Sequence, residues 1–275
     1  MVHRFDAVGA CIYCGRSDIE LTSEHIVPFG LGGQWELLDS SCTGCAKITG
    51  KFEGVVQRTI YGDFRMRNRL PSRRMKDRPK FRTINTEDGP KQIPVEEFPI
   101  PLWVYNFALC GILLGSAPDT DVTMSTMSTI HNHEETMAFI EKYKWDRTVT
   151  HKYMPYEFMR MIAKAGYSYA VAQMGFGNFT PIVREAILNP NTNISYFVGM
   201  NSQLEPMIEN GWHTIQLSTK VAPGAKTLIC ANVRLFSSAG TPTYHAIVGE
   251  FESLAQETAT MQESRKRGNV KLAGA

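Results

Sequence analysis

Residues 11–45 read CIYCGRSDIELTSEHIVPFGLGGQWELLDSSCTGC, and this stretch decides the fold of the N-terminal part of the chain. It holds two Cys-x-x-Cys pairs, Cys11 with Cys14 and Cys42 with Cys45, with 27 residues between them. Each pair can present two thiolates from one tight turn, and two such knuckles complete the tetrahedral shell of a structural Zn²⁺. The spacing therefore predicts a zinc module, while redox-active cysteines remain the alternative.

The residues between the two pairs predict a hairpin. Residues 21–28, LTSEHIVP, are strand-like and place Glu24 directly before His25. The proline and the Gly-Gly that follow turn the chain back toward the second cysteine pair. A helix is expected after that pair, from Ala46 to about Ile60. Zinc would then clamp the hairpin and hold the helix beside it.

The combined pattern CIYCG…LTSEHIVPFGLGG…SCTGCAKITGKFE resembles the zinc-knuckle branch of the HNH endonucleases, the ββα-metal nucleases. The resemblance covers about a fifth of the chain. It implies that His25 is a general base that activates water, and that Glu24 binds a catalytic Mg²⁺ or another divalent metal. Such a metal would stabilise the charge that develops on a phosphodiester under attack. An ordinary, partly buried histidine is the alternative for His25.

Two positions depart from the pattern of that family. Leu37 stands where an Asn is usual, and Ala46 stands where an Asn or His ligand is usual. Glu53 lies seven residues after Ala46 on nearly the same helix face, so we rank it above Thr49 as a replacement metal ligand. A solvated helix residue is the alternative for Glu53. The function that the resemblance implies is a metal-dependent HNH-type endonuclease that hydrolyses phosphodiester bonds of DNA. The departures keep a second function open, a catalytically degenerate zinc-stabilised module that binds nucleic acid or regulates.

A basic stretch follows the zinc module. Between residues 65 and 82 there are nine Lys or Arg residues and one acid. Arginine and lysine neutralise phosphates, which favours contact with nucleic acid, and double-stranded DNA is the expected partner. A solvated linker face is the alternative. The candidate contacts are Arg65, Arg67, Arg69, Arg73, Arg74 and Lys76.

The predicted fold class is α+β, a small N-terminal zinc-knuckle ββα-metal (HNH-like) module followed by a larger α+β domain with an antiparallel sheet. The expected divisions are residues 1–60 for the module, 61–97 for a basic linker, 98–257 for the larger domain and 258–275 for a partly disordered polar tail. Apolar periodicity predicts a helix at 155–175. Thr180 as N-cap, followed by Pro181 at the first helical position, predicts a shorter helix at 180–188. Runs of β-branched and aromatic residues predict strands at 194–198, 213–217, 227–236 and 243–251.

Composition gives weaker indications. The chain of 275 residues is 43% hydrophobic with a formal charge of +2, so net charge by itself indicates neither nucleic acid nor an acidic ligand. The uncharged run at residues 98–118 is expected to be core and not a membrane span, because prolines and glycines interrupt it. With no secretory signal at the N-terminus, a cytoplasmic location is expected. The larger domain is a candidate for homo-oligomer formation.

The tripeptide His131-Asn132-His133 spells the name of the family by coincidence. The family name refers to residues spread over a hairpin and a helix. Because Glu134 and Glu135 follow, this segment is expected to begin a helix that runs to Tyr143. A second metal site is the less favoured alternative.

Overall fold

The structure is a computed structural model that describes residues 2–72, 78–99, 102–149, 151–200, 206–208, 212–223 and 226–252, with positions 256, 258, 260 and 262. The helices are α1 Thr43–Arg58, α2 Gly62–Arg67, α3 Gly111–Leu114, α4 His133–Tyr143, α5 Pro155–Met174 and α6 Arg184–Leu188. The strands are β1 His3–Phe5, β2 Leu21–His25, β3 Trp35–Cys42, β4 Phe81–Thr86, β5 Gly89–Pro94, β6 Leu102–Phe107, β7 Ser125–Ile130, β8 Thr180–Pro181, β9 Val198–Met200, β10 His213–Val221, β11 Thr227–Leu235 and β12 Tyr244–Glu250. The predicted α+β class is confirmed.

The N-terminal part is a ββα unit. Strands β2 and β3 form the predicted antiparallel hairpin, and α1 follows β3 directly. The register shifts between Thr22 and Glu24, because β3 bulges at Asp39, which adopts φ 43°. Ser40 holds the bulge by donating from its hydroxyl to the Leu37 carbonyl at 2.8 Å. One feature was not predicted: β1 pairs in parallel with the free edge of β3.

Helix α5 is the centre of the larger part of the chain. It was predicted at 155–175 and spans Pro155–Met174. It packs on the antiparallel sheet β10-β11-β12-β8, and Gly166 permits the close approach. A Cβ at that position would lie 2.8 Å from the Cβ of Ala231 and 3.2 Å from that of Ala246. The other side of α5 contacts α1, so one apolar cluster joins the N-terminal ββα unit, α5 and the sheet.

The segment expected to be a linker contains regular structure. Helix α2 begins it, and the hairpin β4–β5 lies near its end. Ile84 and Ile93 of this hairpin pack with Phe98, Phe139 and Trp145 in a small separate cluster. The partly disordered tail predicted at 258–275 lies almost wholly outside the described residues.

Two sequence assignments were wrong. The helix predicted at 180–188 begins only at Arg184, because Thr180 and Pro181 form strand β8 opposite Glu250 and Gly249. Proline has no N–H to donate, so it is tolerated both at the edge of a sheet and at the first position of a helix. In this chain Pro181 takes the position at the edge of the sheet. The strand predicted at 194–198 is instead a 3-10 turn, Ile194–Tyr196, followed by β9.

The remaining assignments hold with small shifts. The hairpin of β11 and β12 and the preceding strand β10 are antiparallel neighbours, as predicted. The uncharged run at 98–118 contains β6 and α3 and contributes buried residues to the core. Among the described residues, no helix has both the length and the apolar character needed to cross a membrane.

Candidate metal centre and acidic site

The four paired cysteines form a cluster that could hold a metal ion. One sulfur from each of Cys11, Cys14, Cys42 and Cys45 lies within 4.8 Å of the others, and the Cys14 and Cys42 sulfurs are 3.9 Å apart. A tetrahedral zinc ion with Zn–S bonds of about 2.3 Å needs sulfur–sulfur separations of about 3.8 Å. The donor set and its spacing therefore fit zinc. All six cysteines are free thiols, so no disulfide competes with this arrangement.

Local backbone geometry places these sulfurs. The first knuckle is a turn closed by the Gly15 N–H, which donates to the Cys11 carbonyl at 2.8 Å, and Gly15 adopts φ 79°. The second knuckle lies where β3 becomes α1. Cys42 is the N-cap of α1, and its sulfur accepts from the Cys45 backbone N–H at 3.4 Å. The cluster therefore joins the loop before β2 to the junction of strand and helix.

The thiols differ in their readiness to ionise. Burial opposes ionisation of Cys42, but hydrogen bonds from the backbone and thiol of Cys45 outweigh it and lower its pKa to about 7. Burial raises the pKa of Cys11 and of Cys45. Thiolates are the form that binds metal, so a bound ion would release the protons that these buried thiols otherwise keep.

Lys164 of α5 lies between the two predicted carboxylate ligands. Its Nζ is 2.5 Å from Glu24 Oε1 and 2.8 Å from Glu53 Oε1. The side chain of Lys164 is 0% exposed, and those of the two glutamates are 8% and 14% exposed. Glu24 and Glu53 thus converge on one point, and a lysine ammonium occupies that point. We refer to these three residues as the acidic triad.

The charges of the acidic triad are interdependent. Burial alone would lower the pKa of Lys164, but the charges of Glu24 and Glu53 outweigh it and raise that pKa. Burial raises the pKa of Glu53; Lys164 reduces this effect and Glu24 adds to it. Burial, with a contribution from the charge of Glu24, also raises the pKa of nearby Tyr13. Lys164 is therefore the cation that makes burial of two carboxylates tolerable.

His25 lies at the edge of this site. It follows Glu24 on β2, pairs across the hairpin with Glu36, and is half-buried, with its ring 5.6 Å from that of Phe29. Lys164 donates to its backbone carbonyl, so the lysine fixes the main chain at His25. The register shift of β2 and β3 directly precedes Glu24 and His25.

The residues present do not fit the divalent ion that the resemblance implies. Mg²⁺ requires about six oxygen ligands and keeps several waters when proteins bind it. Glu24 and Glu53 already bind an ammonium group, and their side chains are only 8% and 14% exposed. A second cation there would be repelled by Lys164 at contact distance. Lys164 cannot leave by a movement of its helix, because most of α5 is buried in the core.

The other positions that the family would use supply no ligand. Leu37 is 2% exposed and belongs to the core. Ala46 carries no donor atom, and the Thr49 hydroxyl donates to the Ala46 carbonyl at 3.3 Å. Of the two candidate replacements considered in the sequence, the structure brings Glu53 to Glu24 and leaves Thr49 bonded within its own helix.

The described members of the basic stretch bind other parts of the chain. Arg65 donates to the carbonyls of Gly30, Gln57 and Pro71, at 2.5, 3.0 and 3.3 Å. Arg67 donates to the Phe98 carbonyl at 2.9 Å and pairs with Glu135. Arg69 is exposed and lies 3.5 Å from Glu96. Arg73, Arg74 and Lys76 lie outside the described residues. Contact of these six residues with nucleic acid stays a prediction.

The His131-Asn132-His133 segment begins helix α4, as expected. The Asn132 side chain is the N-cap and accepts from the Glu135 backbone N–H at 3.1 Å. Among the described residues, the four-cysteine cluster is the one group of ligand side chains close enough together to hold a metal ion.

Sequence reasoning missed Lys164. The signal available was a single lysine in an apolar part of helix α5, flanked by Ala163 and Ala165 and about one turn from Met161 and Tyr167. Fully buried lysines are rare unless they are paired, so this position indicated an acidic partner without identifying it.

Comparison of the chain with protein-family models, with curated proteins and with solved structures finds no significant match.

Proposed function

We propose that this chain is a zinc-stabilised module of the HNH type that binds nucleic acid without cleaving it by a metal-dependent reaction. The observation that carries this proposal is the acidic triad, in which Lys164 is 2.5 Å from Glu24 and 2.8 Å from Glu53. The pair of carboxylates that would hold the catalytic metal has an internal cation instead. The four-cysteine cluster keeps a structural role, since its donor set fits zinc.

The chemistry of phosphodiester hydrolysis supports this choice. Removing a proton from water is one requirement, and His25 could meet it. Stabilising the negative charge of the phosphorane and of the leaving oxygen is another. Lys164 carries the only charge suited to that task within the acidic triad, and it is 0% exposed, so a phosphodiester cannot reach it.

A metal-dependent HNH endonuclease that acts on DNA is the second candidate. One observation favours it: Glu53 lies beside Glu24, and His25 follows Glu24 at the end of β2. This function requires that Lys164 yield its place to a divalent ion.

Plasmid cleavage distinguishes the two functions. Zinc-loaded protein is incubated with supercoiled plasmid and Mg²⁺ or Mn²⁺, as wild type, as His25→Ala and as His131→Ala, in which a distant exposed histidine is replaced. We expect all three proteins to leave the plasmid intact to the same extent. Cleavage by the wild type and by His131→Ala, but not by His25→Ala, would establish the endonuclease instead.

Binding is measured separately, by fluorescence anisotropy of a labelled duplex without added Mg²⁺. We expect salt-dependent binding, because phosphate contacts release counterions. A protein that neither cleaves nor binds a duplex at low salt would contradict the nucleic-acid part of the proposal.

A further inference from the structure

A groove of about 500 Å³ opens beside the zinc module, away from the acidic triad. It lies where the end of α1 meets α2, strand β4 and the segment that precedes α5. Its charged and titratable walls come from Arg58, Asp63, Arg82, His151 and Lys152. We refer to it as the basic groove.

The basic groove has more positive than negative groups. Its one acid, Asp63, forms an ion pair with Arg82, and Arg82 also lies over the ring of Phe98 at 3.9 Å. Arg58 and Lys152 are exposed and take part in no ion pair within the described ranges of the chain. Two positive charges therefore remain uncompensated at the groove.

Neighbouring arginines add to this positive field. Burial lowers the pKa of Arg65, and the charges of Arg78 and Arg58 lower it further. Arg65 itself is held by three backbone carbonyls, so it contributes charge near the groove without being free to move into it. Clefts lined by one sign of charge concentrate ligands of the opposite sign.

His151 contributes a polar atom that the protein does not use. Its ring lies tilted against that of Trp103, with the ring centroids 4.2 Å apart, and its Nε2 is buried with no hydrogen-bond partner among the residues that the structure describes. Burial and the charge of Arg82 lower its pKa to about 4, so the ring is neutral at pH 7.

The walls also offer apolar surface. Val55, Met66 and Met154 line the basic groove beside the charged residues. A small inorganic anion would use only the cations. A ligand that joins phosphates to sugars or bases would use both kinds of wall, and methionine adapts its shape to flat or irregular groups.

We propose that the basic groove binds the phosphodiester backbone of a nucleic acid, with Arg58 and Lys152 as the phosphate contacts and the apolar wall against the sugar or base. This inference rests on the nucleic-acid binding proposed above and locates it. It differs from the earlier prediction for residues 65–76, because neither Arg58 nor Lys152 belongs to that stretch. The phosphate could also come from a free nucleotide, and the test separates the two sources.

The test compares two double variants that lose the same charge. Arg58→Gln with Lys152→Gln alters the basic groove, and Lys47→Gln with Lys51→Gln removes two exposed lysines from α1 outside it. Binding of a labelled duplex and of a labelled single strand is measured from low to moderate salt. All four substituted side chains are exposed, so circular dichroism should show unchanged folding.

We expect the groove variant to bind about tenfold more weakly at moderate salt. The slope of log K against log salt should fall by about 1.8 for the duplex, since each lost phosphate contact removes about 0.9. The control variant should change both quantities much less. Equal effects in the two variants, or no effect in either, would overturn the assignment of the groove.

A competition experiment distinguishes binding of a nucleic-acid strand from binding of a free nucleotide. Inorganic phosphate and a nucleoside monophosphate are added to the wild type and to the groove variant. Displacement of the labelled strand only at high concentrations of either supports a backbone site. Tight, Arg58-dependent binding of the monophosphate without binding of any strand would overturn the proposal in favour of a nucleotide site. Cleavage that depends on His25 would refute the proposed function but leave the groove result standing.

Discussion

Lys164 carries its charge into a part of the protein that water does not reach. Replacing it by methionine, Lys164→Met, would leave Glu24 and Glu53 buried beside each other without a cation. Removing one partner of a buried charge pair costs about 3–5 kcal/mol, and we expect a loss of this size in urea unfolding at pH 7. Lys47→Met, at an exposed position of α1, should cost much less.

Neutralising the two carboxylates of the acidic triad tests whether unpaired charge causes this loss of stability. Lys164→Met combined with Glu24→Gln and Glu53→Gln removes all three charges, and we expect it to recover most of the lost stability. If the triple variant is as unstable as Lys164→Met, lost side-chain contacts and not unpaired charge determine the effect, and the electrostatic account of the acidic triad is wrong.

The same triad predicts how the protein responds to divalent ions. Mn²⁺ should leave the melting temperature of the zinc-loaded wild type unchanged, because Lys164 occupies the position between the carboxylates. Lys164→Ser should gain stability with Mn²⁺, by about 2.7 kcal/mol at a hundredfold excess over Kd. Adding Glu53→Gln should abolish that gain. Stabilisation of the wild type by Mn²⁺ that disappears in Glu53→Gln would show that a metal enters beside Lys164.

At the scale of single residues, the sequence predicted part of the acidic triad. Helical spacing indicated that Glu53 could reach the region of Glu24, and both side chains do lie there. The sequence could not identify their partner, since 139 positions separate Lys164 from His25 and only the packed core brings α5 to the hairpin. Periodicity describes one element at a time and is silent about contacts between distant elements.

Among the elements, β3 and α1 depend most directly on the cysteine cluster. Metal analysis should find about one zinc per chain, and Cys42→Ser should lose it. Serine is a good N-cap, so this variant keeps the cap of α1 and isolates the effect of the metal. Structural zinc in small modules contributes about 10–16 kcal/mol of apparent binding energy, so thermal unfolding by circular dichroism should begin far lower.

The matched control for that experiment is Cys230→Ser, which replaces a buried cysteine outside the cluster. It should keep its zinc and lose only the modest stability expected of a small core change. A zinc-free wild type that folds normally would show that the four cysteines have another role.

The elements themselves were predicted unevenly. Helix α5 and the hairpin of β11 and β12 have long patterns of apolar residues, and such patterns predict an element without knowledge of its tertiary contacts. Strand β8 has two residues, Thr180 and Pro181, and it forms by pairing with the edge of β12. Strand β1 likewise has three residues and forms by pairing with β3. Such short strands are products of tertiary contact and leave little trace in sequence.

On the scale of the whole molecule, the N-terminal ββα unit and the sheet are joined by the loop after β2. Trp212 and His213, at the start of β10, both donate from their rings to the Leu31 carbonyl at 2.9 Å. The Phe236 backbone N–H donates to His213 Nδ1 at 3.3 Å. His213 therefore uses both ring nitrogens as a neutral imidazole, with its proton on Nε2, to connect three parts of the chain.

This connection makes stability depend on pH. Burial lowers the pKa of His213 from 6.5 to about 4, although its bond to Leu31 opposes the change. Between pH 6.5 and pH 4 the unfolded chain binds a proton at this histidine that the folded chain does not bind. The contribution of His213 to the free energy of unfolding is therefore fully present above about pH 6.5 and is lost as the pH falls toward 4. The loss from this group is at most about 3 kcal/mol.

Thermal unfolding from pH 7 to pH 4.5 should show the decline. His213→Gln should be less stable at pH 7 and decline less steeply, because it has no imidazole to protonate. His131→Gln, at an exposed position, should follow the wild type. If His213→Gln and the wild type decline in parallel, other groups set the pH dependence, and His213 serves only as a fixed hydrogen-bonding link between the zinc module and the sheet.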